Sequence, residues 1–206
     1  MNKKIQTILT ILEKKYGGTE TALNYQSPFQ LLISTMLAAQ STDVRVNIVT
    51  KDLFRDYPTA DKMAELDVPT MESYIKTVGL YKTKAKNVLA TSKILAEQYN
   101  GDVPNTREEF VKLPGVGRKT ANVVLSIAKG VSAIAVDTHV FRVSNRLGLA
   151  KAANVLDTER QLMKNIPEEK WSDAHHWLIW HGRKICKARN PLCAECPLAA
   201  VCNYDK

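Results

Sequence analysis

The sequence predicts an all-α fold. Apolar residues recur with helical period along most of its 206 residues, and cap and stop residues bracket each such stretch. The one apolar run without helical signals, Ser132 to Val136, is too short and too isolated to build a sheet.

The elements follow in order. Ile5, Ile8, Leu9, Leu12 and Tyr16, interrupted by Lys14 and Lys15 and stopped at Gly17-Gly18, predict an amphipathic docking helix rather than a signal peptide. Ser27-Pro28 opens a helix through Ala39 with Phe29, Leu32, Ile33 and Met36 on one face, and Thr42 or Asp43 caps another containing Val46, Val49 and Phe54. Short helices near 59–65 and 69–77 precede a longer one, about Lys82 to Tyr99, which buries Ala85, Val88, Leu89, Ile94 and Leu95 and stops at Asn100-Gly101. Thr106-Arg107-Glu108-Glu109 reads as a capping box for a short helix that turns Phe110, Val111 and Leu113 inward and ends at Pro114. A helix from Arg118 to Lys129 follows. Asp137 begins another that Gly148 ends, and two more span roughly 156–165 and 172–185.

Between two of these helices lies Leu113-Pro114-Gly115-Val116-Gly117-Arg118-Lys119-Thr120-Ala121. Gly115 and Gly117 can take positive φ and let a phosphate approach the main chain, while the helix that follows offers unpaired N–H groups and the positive end of its dipole. No strand precedes the glycines and no third spaced glycine follows, which disfavours a nucleotide fingerprint and favours a polymer backbone. Charge points the same way. Lys and Arg number 29 against 21 Asp and Glu, a net charge of +8. From Phe110 to Leu156 the cations Lys112, Arg118, Lys119, Lys129, Arg142, Arg146 and Lys151 accompany a single carboxylate, Asp137, and Ala174 to Ala194 carries Arg183, Lys184, Lys187 and Arg189 with none. Solvated faces usually alternate sign, so two acid-poor blocks suggest phosphate neutralisation.

All four cysteines, Cys186, Cys193, Cys196 and Cys202, form a C-x6-C-x2-C-x5-C array at the C-terminal end. Disulfides fit poorly with a chain that shows no secretion signal. Tetrahedral zinc and an iron–sulfur cubane both take four thiolates, and the wide loops around one C-x2-C suit the cubane better. His175, His176 and His181 read as helix-surface or core residues rather than ligands.

With these residues in place, the chain resembles the endonuclease III family of helix-hairpin-helix DNA glycosylase/AP lyases. The likeness runs essentially end to end, through Leu37-Ala38-Ala39-Gln40-Ser41-Thr42-Asp43, Val78-Gly79-Leu80-Tyr81, Leu113 to Ala121, Val136-Asp137-Thr138-His139-Val140, Arg142-Val143, Arg146-Leu147-Gly148-Leu149 and the cysteine array. Ala38 stands where a serine is common in the family. The resemblance implies a six-helix domain over residues 22–132 and a discontinuous helical domain, 1–21 plus 133–206, that carries a 4Fe-4S cluster loop, with double-stranded DNA lying across the cleft between them.

It also implies roles. Lys119 corresponds to the nucleophile that forms a Schiff base with the sugar, and an amine reacts only when neutral, so a helix start, Arg118 and desolvation are suitable surroundings. Asp137 corresponds to the carboxylate that takes the amine's proton or stabilises charge on the sugar. Gln40 and Leu80 match the residues that fill the gap left by a flipped nucleotide. Gly115, Gly117, Arg118, Lys187 and Arg189 would meet phosphates, and His139 is a further candidate DNA contact. Taken singly, Lys119 is also a solvated helix-start cation, Asp137 an N-cap and Leu80 a core-capping leucine. The expected activity is excision of oxidised pyrimidines such as thymine glycol, followed by cutting 3′ to the abasic sugar. The alternatives are an adenine-mismatch glycosylase, against which Lys119 and the chain's end at Lys206 argue, and a non-catalytic DNA-binding module with a structural metal. A monomer in the cytoplasm, with no membrane association, is expected.

Overall fold

The computed structural model describes residues 2–204; Lys206, the expected end of the chain, lies outside them. Among the described residues there are eleven α-helices, three short 3-10 turns and no strand. The helices are α1 (Lys3–Tyr16), α2 (Pro28–Ala38), α3 (Asp43–Asp56), α4 (Ala60–Ala64), α5 (Val68–Ile75), α6 (Tyr81–Gln98), α7 (Arg107–Phe110), α8 (Arg118–Ala128), α9 (Thr138–Leu147), α10 (Val155–Asn165) and α11 (Trp171–Lys184). They fall into two compact units, Ala22–Val131 and Met1–Thr21 with Ser132–Lys206.

The Ala22–Val131 unit holds seven helices, α2 to α8, one more than the resemblance implies; α7 is a single turn. Ser27 caps α2 through the Gln30 amide with Pro28 in the first turn, and every residue from Phe29 to Leu37 is buried. A helix buried on all sides must be surrounded, and α3, α6 and α8 pack against it. Leu31, Leu32, Ile33, Leu53, Met63, Met71, Ile75 and Phe110 fill the core with almost no exposed surface, each contributing about 1.5–3 kcal/mol by burial. The capping box at Thr106 and Glu109 is present, but α7 ends at Phe110, before Pro114. Lys112 and Leu113 continue in i→i+3 turns onto Glu109 and Phe110, and this tighter winding turns Val111 to solvent at 46 % exposure while Phe110 and Leu113 stay inside.

In the second unit α1 packs along α11, and α9 packs on α10 and α11. Ile5, Ile8, Leu9, Leu12 and Tyr16 of α1 are all buried, joined by Val140, Val143, Leu147, Leu162, Trp177 and Leu178. Gly148 ends α9 in the left-handed region at φ 77°.

Candidate active site and cysteine loop

The glycine hairpin is built from below. Leu113 and Val116 are buried, the Val116 amide donates to the Leu113 carbonyl, and the Thr91 hydroxyl donates to the Pro114 carbonyl at 3.0 Å. The two glycines then do different things. Gly115 has φ +74°, and a Cβ there would fall 2.7–3.0 Å from side-chain atoms of Asn87. Gly117 departs from the expected positive φ: it is extended at φ −95° and caps α8, with no side-chain hydrogen bond to the helix start and open space where a Cβ would be. Only Gly115 needs the left-handed region; Gly117 leaves the first turn of α8 uncovered. That turn carries no acid and presents Arg118 and Lys119 to solvent.

Gln40 and Leu80 sit at the tips of two loops in the same unit. Both are non-glycine residues in the left-handed region, at φ 55° and 58°. Leu80 is 58 % exposed and therefore caps no core.

In the other unit, Asp137 is half-buried at the start of α9, where its Oδ1 accepts from the His139 and Val140 amides, each at 2.8 Å. His139 Nδ1 lies 3.1 Å from Arg142 Nη2. Burial holds the His139 imidazole below the usual histidine range, with Asp137 pulling it upward and Arg142 and Arg183 downward.

The cysteine loop leaves α11 at Cys186 and includes 3-10 turns at Cys193–Glu195 and Ala199–Val201. Two arginines of α9 organise its start. Arg142 donates to the Cys186 and Gly182 carbonyls, and Arg146 donates to the Lys187 and Ala188 carbonyls and lies 3.5 Å from Cys186 Sγ. Lys129 likewise pairs with Asp102 at 2.7 Å. Part of the cation excess is therefore committed inside the protein rather than held for phosphates. Lys187 and Arg189 remain exposed on the loop.

The family models and the relatives agree on what this arrangement is similar to. Residues 33–168 match the HhH-GPD superfamily base excision DNA repair protein, and residues 186–202 match the iron-sulfur binding domain of endonuclease III. Endonuclease III of Escherichia coli K12 is 50 % identical over 207 residues, covering 100 % of this chain and 98 % of the relative; that of Bacillus subtilis is 48 % identical, covering 97 % and 92 %. The chain belongs to the endonuclease III family. Solved endonuclease III structures superimpose closely: a non-covalent DNA complex at TM-score 0.92 and 47 % identity, covering 98 % of this chain and 96 % of that one, and a trapped covalent DNA intermediate at 0.91 and 47 %. A thermostable thymine-DNA glycosylase at 23 % identity shares the fold, at TM-score 0.88.

The cofactor of the endonuclease III family is a 4Fe-4S cluster, and the cysteine loop fits one. Its four thiols are free of disulfides and line one apolar cavity with Leu147, His181, Ile185 and Leu192. Donors also face the sulfurs: Arg146 Nη1 at Cys186 and the Tyr204 amide at Cys202, both at 3.5 Å. Burial raises the Cys196 thiol above its usual range, a desolvation that metal ligation offsets.

Two residues outside the endonuclease III motifs are prominent in the structure: His181, expected as a surface or core histidine, is a core residue, and Lys84 is one that no motif marks. His181 is fully buried, with Nδ1 3.1 Å from the Tyr16 hydroxyl and Nε2 3.6 Å from Cys196 Sγ. Lys84 is buried beside the Gln40 and Leu80 loops. The available signal for Lys84 is its place in the inward stripe of α6, four residues before Val88.

Proposed function

We propose that this chain excises oxidised pyrimidines, thymine glycol among them, from double-stranded DNA and then cuts the strand 3′ to the abasic sugar. The observation that carries the reading is the exposed Lys119 amine in the first turn of α8, at a helix start capped by an uncovered glycine. Such a terminus binds phosphate through its N–H groups and dipole, which places an amine beside a sugar. One solved relative is a trapped covalent intermediate with DNA; an amine nucleophile supplies such a link.

In the proposed reaction the neutral Lys119 amine attacks C1′ of the flipped nucleotide. The glycosidic bond breaks, the base leaves with its electron pair and is protonated, and the sugar ring opens to an iminium. Loss of a C2′ proton then expels the 3′ phosphate by β-elimination, and water releases the lysine. Asp137 serves as the carboxylate that takes the amine's proton and offsets positive charge developing on the sugar. Gln40 and Leu80 occupy the gap left by the nucleotide. Gly115, Gly117 and Arg118 receive the backbone, and His139 borders it. Cys186, Cys193, Cys196 and Cys202 hold the 4Fe-4S cluster, which fixes the loop that offers Lys187 and Arg189 to phosphates. As part of the same reading, the protein works as a monomer in the cytoplasm; among the described residues no helix is long and apolar enough to cross a membrane.

The deciding experiment is borohydride trapping on duplexes bearing thymine glycol, dihydrouracil or an adenine mismatch. The expected result is a covalent adduct with the oxidised pyrimidines that Lys119→Gln abolishes. Trapping that survives Lys119→Gln overturns the nucleophile, and excision confined to the mismatch overturns the substrate class.

A further inference from the structure

Lys84 lies in the first turn of α6 with 7 % of its surface exposed. Its Nζ reaches the Leu37 carbonyl at 2.8 Å, the Ala39 carbonyl at 2.5 Å and the Ser41 hydroxyl at 3.2 Å. Three donors thus meet three neutral oxygens, two of them from the last turn and C-cap of α2, where the helix dipole favours a cation. Burial pulls the Lys84 amine below the usual lysine range.

The Ser41 hydroxyl has a second partner, since it accepts the Gly79 amide at 3.0 Å. One oxygen therefore joins the loop bearing Gln40 to the loop bearing Leu80. The fit is close: a Cβ on Gly79 would lie 2.9 Å from the Gln40 carbonyl oxygen. Lys84 is itself tied to the second loop through its own amide, which donates to the Leu80 carbonyl at 3.0 Å.

A left-handed non-glycine residue is strained and persists only where its surroundings over-determine it. Two such residues, both exposed, sit at the tips that this network joins. Burying a cation is expensive, and a methionine would fill the same space more cheaply. What the ammonium adds is a rigid three-point join.

From this we infer that Lys84 is a positioning residue for base extrusion: through Ser41 it locks the Gln40 and Leu80 loops into one preformed wedge that enters the duplex as a unit. The inference rests on the reading of Gln40 and Leu80 as the gap-filling residues. A preformed wedge lowers the ordering cost of entering the stack, and that benefit is felt where a stacked, paired base must be ejected.

The test uses the full chain with its cluster and compares Lys84→Met with wild type on two substrates. One is a fully paired duplex carrying thymine glycol, with 2-aminopurine beside the lesion to report unstacking. The other is an abasic site in an unpaired bubble, read by borohydride trapping. Lys84→Met should slow duplex excision about tenfold or more and remove the 2-aminopurine rise, while trapping in the bubble stays within about twofold. Ser41→Ala keeps both carbonyl partners of Lys84 and removes only the join between loops; it should show the same split, more weakly, and it decides the matter if Lys84→Met does not fold. Equal losses on both substrates, or no loss on the duplex, overturn the inference. Leu80→Ala separates the two levels. If it leaves duplex excision unchanged, the gap-filling assignment itself fails and takes the inference with it. If it abolishes duplex excision while Lys84→Met and Ser41→Ala do not, the assignment stands and Lys84 has no positioning role.

Discussion

Oδ1 of Asp137 accepts the Val140 amide at 2.8 Å and the His139 amide at the same distance, so the carboxylate assigned to the chemistry is also the N-cap of α9. The two roles make different demands on the side chain. Capping needs an acceptor oxygen, which Asn supplies as well as Asp; taking a proton or offsetting positive charge needs the full carboxylate. Asp137→Asn should therefore keep the unfolding free energy within about 0.5 kcal/mol of wild type while impairing excision, whereas Asp137→Ala should also lose about 1 kcal/mol of stability. Urea denaturation beside single-turnover excision checks this, and an Asn variant that excises at the wild-type rate would leave Asp137 a cap and nothing more.

The two hairpin glycines should separate in the same way. Gly115→Ala forces a left-handed alanine onto Asn87, with Cβ contacts of 2.7–3.0 Å, and should cost about 1–3 kcal/mol of stability. Gly117→Ala meets nothing within 4 Å at an ordinary φ. Its stability should fall by only about 0.5–1 kcal/mol, since alanine is the weaker cap, yet its methyl group covers the start of α8. Binding to abasic-site duplex should weaken for Gly117→Ala, and thermal melts with fluorescence anisotropy would show whether the order of the two variants inverts between stability and affinity.

Much of the fold is legible in the sequence because its signals are local. Ser27-Pro28, Thr42, the box at Thr106 and Asp137 each bond to an amide two or three residues away, and all four caps form. The cysteine array is legible for the same reason. Lys84 is not, because its partners are two carbonyls and a hydroxyl more than forty residues away, and carbonyls leave no mark on a sequence. A lone lysine in an apolar stripe reads as an interruption. The left-handed backbone at Gln40 and Leu80 is hidden too, since the residue type that advertises it is glycine. Arg142 and Arg146 show the opposite failure: in the sequence they are cations awaiting a phosphate, and in the fold they hold the cysteine loop.

Buried histidines set an acid limit on stability. His176 is held below the usual histidine range mainly by burial, against the opposing pull of Asp173 and Glu20. The folded chain keeps it neutral while the unfolded chain protonates it near pH 6.5, so the unfolded state binds the extra proton. Its contribution is therefore intact above pH 6.5 and is lost as pH falls below that value, with a limiting slope of about 1.4 kcal/mol per pH unit. His176→Gln should be less stable than wild type at pH 7.5, and the gap should narrow toward pH 5. Urea titrations at four pH values measure it, and a gap that stays constant would mean that His176 is protonated in the fold.

Tyr16 and His181 yield a prediction about the cysteine loop. Burial, with Lys15 adding to it, drives His181 down to about 4, so the ring is neutral at working pH and carries one N–H. With the proton on Nε2, that N–H faces Cys196 Sγ and Nδ1 accepts from the Tyr16 hydroxyl, which satisfies both nitrogens of a ring with no exposed surface. Burial, and then the charge of Cys196, push Tyr16 itself to about 12, so its hydroxyl keeps the proton it donates. Tyr16→Phe preserves the packing of α1 and removes one oxygen. It leaves Nδ1 buried without a donor, which costs about 1–3 kcal/mol. The loss should appear as an earlier urea midpoint in the visible absorbance of the cluster, together with the far-ultraviolet signal of the helices. Excision by the intact protein without denaturant should stay at the wild-type rate, because Tyr16 takes no part in the chemistry. An unchanged midpoint would mean that the hydroxyl contributes nothing to holding His181 against Cys196.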